Sequence, residues 1–96
     1  MSTVVDIGSL ITSTDDVRGG RPRIAGTGVT VQRVVRWYRL GLTPEEIADR
    51  IGHLSLAQVH AALSYYHANR QQIDAEIAAD DQETEQASAR SNGTKP

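Results

Sequence analysis

The apolar positions of this chain recur mostly at helical spacing, and most clearly between Thr43 and Tyr66. Ile47, Ala48 and Ile51 define one buried face, and Val59, Ala62, Leu63 and Tyr66 define a second. Thr43 is a good N-cap, Pro44 suits the first helical position, and Glu46 completes a capping box. Gly52 supplies the left-handed residue that ends a helix. Ser55 and Gln58 repeat the box three residues apart. Helix, glycine turn and capped helix outline a helix-turn-helix, with a turn at Gly52 to Leu54 slightly longer than the tightest versions.

An earlier helix is expected over 30–42, capped by Thr30 and ended by Gly41. Val31, Val34, Val35, Tyr38 and Leu42 lie on its apolar face, with Trp37 at the flank. The third helix is expected to run on beyond Tyr66, because Ile73 and Ile77 extend its stripe. Its other side carries Ala57, Ala61, Ser64 and Ala68. That small-residue stripe allows close approach by a second copy, so a C₂ homodimer is expected. Alanine's helix propensity explains the same stripe without any partner.

Ahead of the helices the period changes. A short extended arm is expected around Leu10 to Thr12, with a turn at Thr14 to Asp16. One strand alone is unstable and must pair. Residues 18–31 hold four of the eight glycines. Pro22 forces Arg21 toward extended geometry. Arg23 and Ile24 then form a short strand, Ala25 to Gly28 a tight turn, and Val29 to Val31 the return.

Composition changes this picture in three places. The length of 96 residues fits one small domain with a modest core. The organisation expected is an arm at 1–17, a helical domain at 18–77 and a flexible acidic tail at 78–96, which lacks large apolar residues. The net charge of −2 conceals an asymmetry. Between Arg18 and Arg39 there are six arginines and no acid, whereas the tail sets four acids against Arg90 and Lys95. One end therefore attracts a polyanion that the other repels.

There are no cysteines, which excludes disulfides and thiolate metal sites. His53, His60 and His67 are seven apart, not at the spacing of about four that a helical metal pair prefers. No metal or other cofactor is expected. Glu45 and Glu46 suit a helix N-terminus, and no nucleophile, base and orienting group cluster, so no enzyme is expected. The N-terminus lacks a signal-peptide layout and no run spans a membrane, so a cytoplasmic protein is expected.

For DNA, the third helix starts with no Lys or Arg before Arg70. Base reading falls to Gln58 and His60. Phosphate contact falls to Arg21, Arg23, Arg33 and Arg36. A solvated arginine face is the plainer reading of the same residues.

Gly20, Pro22, Ile24, Gly26 and Thr27, followed by TPEEIADRIGHLSLAQVHAALSYY, resemble the bacterial family called domain of unknown function 433. The likeness runs from about Ser9 to Ile77 and leaves out the tail. It implies a mainly α fold, a three-helix homeodomain-like bundle with a helix-turn-helix and a short N-terminal β element. It also implies an antitoxin similar to VapB proteins, paired with a PIN-like ribonuclease toxin. Gly28 departs from the pattern, standing where relatives usually carry arginine. With such a partner, Tyr66, Ile73 and Ile77 would be its apolar anchors. Asp80, Asp81, Glu83 and Glu85 would suit a basic RNA groove, and Arg70 or Arg90 a carboxylate metal site. The alternative is a standalone DNA-binding or scaffolding module without a toxin.

Overall fold

The structure, a computed structural model, describes residues 6–93, with side chains to residue 86. Residues 1–5 of the arm and 94–96 of the tail, Lys95 included, lie outside the described residues. So does the Arg90 side chain. Among the described residues the chain is mainly helical, with four helices and one two-stranded sheet.

The arm begins with Asp6, whose carboxylate accepts from the Gly8 N–H at 3.0 Å and starts a short 3-10 turn over Ile7–Leu10. Strand β1, Ile11–Thr12, pairs antiparallel with β2, Arg23–Ile24, placing Ile11 opposite Ile24 and Thr12 opposite Arg23. The arm thus finds its partner inside the chain, which removes one motive for a dimer. Between the strands Val17 N–H closes a turn onto Thr14 O at 2.9 Å. The backbone then takes positive φ at Arg18, Gly19 and Gly20. Beyond β2, Thr27 Oγ1 donates to Ile24 O at 2.8 Å and accepts from Val29 N–H at 3.0 Å. That local fit returns the chain past β2, where Ile24 N–H meets Val29 O at 2.8 Å.

Helix α1, Val31–Arg39, starts where Thr30 Oγ1 accepts from Arg33 N–H. It stops at Leu40, shorter than its apolar pattern implied, because Gly41 takes φ +95. Helix α2, Pro44–Ile51, carries the Thr43 and Glu46 box in full, and Gly52 ends it at φ +87. The box holds the Glu46 carboxyl below its ordinary range, through the Thr43 N–H first. Helix α3, Leu56–Ala68, carries the Ser55 and Gln58 box in full. These three helices pack on one another around Val31, Val34, Val35, Ile47, Val59 and Ala62, with Ile24 of β2 closing the core.

The continuous third helix expected to Ile77 is instead two helices. Asn69 leaves helical geometry at φ −128, ψ 42, and its carboxamide Nδ2 donates to Tyr65 O at 3.1 Å. A side chain that bonds back to its own helix competes with the next backbone turn. Helix α4, Arg70–Gly93, then packs against α1 as well as α3. Ile73 and Ile77 are buried in the common core. Residues 78–93, read from composition as tail, are the outer part of α4 here.

Candidate functional site: an arginine face under the last helix

Helix α1 presents Arg33, Arg36 and Arg39 on its outer side, three residues apart, and the segment leading into β2 adds Arg21. Helix α4 brings one aspartate to each of three of these. Arg21 Nη2 donates to Asp80 Oδ1 at 2.8 Å, and Nη1 pairs with Asp80 Oδ2 as well. Gln32, the buried polar residue of α1, accepts from Arg21 Nη1 at 2.8 Å and donates to Asp80 Oδ2 at 2.9 Å. The three side chains form a closed polar triad in which every bond is charge-assisted. Hydrogen bonds from Arg21, then from Gln32, hold the Asp80 carboxyl far below the usual carboxylate range, and the same pairing pushes Arg21 up.

Arg36 pairs with Asp81 at 2.9 Å. Arg39 pairs with Asp74, which also accepts from Tyr66 OH at 2.9 Å and lies 3.7 Å from Arg70 Nε. A hydrogen bond to the Tyr66 hydroxyl and the charge of Asp74 raise the Arg39 pKa. The Arg70 guanidinium sits 5.8 Å above the Tyr66 ring.

The residues expected to touch DNA are therefore not presented as one surface. Arg21 and Arg36 are engaged by α4. Arg23 is half-buried: its Nη2 reaches Thr14 Oγ1 at 3.3 Å, and its Nε and Nη1 are enclosed without an acceptor among the described residues. Arg33 is exposed, with no ion pair among the described residues. The Gln58 carboxamide oxygen is spent on Ser55 N–H at 2.7 Å, so only its Nε2 remains to read a base. His53 and His60 are exposed, while His67 rests against Tyr66 with ring centres 5.3 Å apart.

The residues expected to anchor a toxin are likewise used within the chain. Tyr66, Ile73 and Ile77 are 3%, 0% and 4% exposed, so the apolar stripe holds no surplus. The physical reason is the break at Asn69, which turns α4 back over the body. Asp80 and Asp81 face Arg21 and Arg36, and Arg70 is exposed beside Asp74. In the small-residue stripe, Ala61 is buried while Ala57, Ser64 and Ala68 are exposed. Ile7 and Ile11 of the arm line a shallow groove with Ala61, Ser64 and Ala68. Arg18, unforeseen as a packing residue, donates from Nε to Gly28 O at 3.0 Å, and its guanidinium fills the space above Gly28 where a side chain would begin.

Sequence reading also missed Gln32 and Asp74. One signal was present. Asp80 and Asp81 follow Ile77 by three and four residues, as Ile77 follows Ile73 by four, so the acids continue the isoleucine stripe.

These features define a small helical protein with a β arm and an internally charge-matched last helix. Residues 11–66 match the model of the family described as protein of unknown function (DUF433). The chain belongs to that family. It is similar to the crystal structure of a DUF433 member protein from Anabaena variabilis ATCC 29413, with 34% identity and a TM-score of 0.68. The match covers 73% of this chain and 69% of that one. No curated protein matches the sequence. Among the described residues no helix is long and apolar enough to cross a membrane.

Proposed function

We propose that the chain is a cytoplasmic antitoxin of a type II toxin–antitoxin pair, resembling VapB proteins, which binds and neutralises a PIN-like ribonuclease toxin. In this reading it catalyses nothing itself. The observation that carries it is α4: a long helix fixed to the body through Asp81, with residues 82–86 all exposed. Glu83 and Glu85 project from that outer part and suit the basic groove in which a ribonuclease holds RNA. Ile73, Ile77, Asp80 and Asp81 then aim the helix, and the exposed Arg70 exchanges its loose contact with Asp74 for a carboxylate of the partner.

The α2–α3 pair serves this reading as a homeodomain-like helix-turn-helix for operator DNA, with His60 and Arg33 exposed for contact. The capped geometry of that pair also favours a second reading, a DNA-binding or scaffolding module with no toxin. Purification from the native operon separates the two. The first expects a small PIN-like ribonuclease to co-purify and to be released by the double substitution E83K/E85K, with loss of protection in cells. A chain that purifies without a ribonuclease removes the first reading. A ribonuclease still held and neutralised by E83K/E85K removes the outer part of α4 as its contact.

A further inference from the structure

We infer that the arginine face of α1 and the segment leading into β2 is a binding surface for a nucleic-acid phosphate backbone, and that the aspartates of α4 mask it in the free chain. The inference rests on the nucleic-acid half of the reading above and is independent of any toxin. Arg21, Arg36 and Arg39 come from two separate elements, yet each meets one carboxylate of the same helix. The segment from Arg18 to Arg39 holds no acid, so the negative charge at this face comes from α4. Asp74 and Asp81 are seven residues apart, about 10 Å along a helix. Measured along the duplex axis, that length covers about three phosphates of one strand. Guanidinium forks bind carboxylate and phosphate in the same geometry, so one ligand substitutes for the other.

The pairing is exchangeable. The side chains of Arg21, Arg36 and Arg39 are 33%, 43% and 44% exposed. The Arg36 and Arg39 pairs, the wetter two, are screened by salt and held weakly, and the Arg21 pair exchanges last because Gln32 also holds Asp80. The guanidiniums reach an incoming phosphate by rotating outward, while Ile73 and Ile77 keep α4 docked. Arg33, already exposed between them in sequence, gives a first contact.

The test compares the full chain with D74N/D80N/D81N, measuring binding to a fluorescein-labelled DNA duplex of mixed sequence from about 50 to 200 mM salt. Each freed arginine adds about 0.9 to the slope of log affinity against log salt. Three add about 2.7, which is a further 40-fold loss across that range. The variant is expected to bind more tightly at low salt and to show this steeper slope. Adding R21A/R36A/R39A should cancel the gain. E45Q/D49N removes two acids of α2, away from the face, and an equal gain per charge removed overturns the inference. A folded triple variant with unchanged affinity and slope also overturns it. If the triple variant does not fold, D81N alone acts on the wettest pair and must raise the slope by about 0.9; no rise overturns the inference. Native operator DNA is titrated in parallel. Operator binding by the wild type without a gain in the variants sinks the mask alone. No binding by any chain at low salt removes the nucleic-acid reading with it.

Discussion

Replacing Ile73 by alanine measures whether α4 belongs to the domain. Ile73 is fully buried, in contact with the core shared by α1 and α3. The substitution removes three carbons, worth about 2.4 kcal/mol at ~0.8 kcal/mol each. The cavity left behind adds to this, and buried isoleucine-to-alanine changes cost about 2–5 kcal/mol in all. Alanine's better helix propensity returns a few tenths, roughly 0.4 kcal/mol. A net loss of about 2–4 kcal/mol is expected. For a domain of this size each kcal/mol moves Tm by about 4–8 °C, so Tm should fall by at least about 8 °C. Urea denaturation followed by circular dichroism gives the free energy, and calorimetry the Tm. The Ala75→Gly variant, at an exposed position of the same helix, should cost only about 1 kcal/mol, the propensity difference. If Ile73→Ala costs under about 0.5 kcal/mol, α4 is a solvated helix and the whole account of its docking fails.

Two further outcomes follow from local geometry. The Asp80 carboxyl titrates below its unfolded value of about 3.9, so its stabilising contribution is complete above about pH 5 and is lost as pH falls; the Tm gap between wild type and D80N should stay level above about pH 5 and narrow from there to pH 2, and a gap that widens in acid refutes the assignment. Gly52→Ala forces a β-carbon onto φ +87 and should cost about 1–2 kcal/mol by thermal melting, whereas no loss would mean that α2 ends in some other geometry.

The parts of this fold that were legible in the sequence are those written in neighbouring residues. The Thr43 and Ser55 boxes, the glycine at 52 and the Pro22 to Gly28 reversal each act within a few positions, so chain chemistry alone predicts them. The docking of α4 was not legible for the opposite reason. Its ion pairs join residues 35 to 59 positions apart, and the break that permits them rests on a single asparagine in an otherwise helical pattern. With no glycine or proline at 69, the periodicity ran on and Ile73 and Ile77 looked like surplus. The arginines were correctly seen as an acid-free cluster, but sequence could not show that the acids of the C-terminal segment close over them. The family likeness reached to Ile77, short of Asp80 and Asp81, so it carried no information on that closure.

Gln32 gives α4 a single address on the body. Ile73 and Ile77 are one helical turn apart, so a slip of about 5.4 Å along α1 would still bury one isoleucine in the other's place. Apolar packing alone thus tolerates more than one alignment. The slip would carry Asp80 away from Gln32 and Arg21, leaving the Gln32 Nε2 donor without its acceptor at about 1–3 kcal/mol, with only the Arg21 bond to its Oε1 retained. The polar triad therefore acts as a latch on sliding, and fixes which residues of α4 fall beyond the edge of the domain.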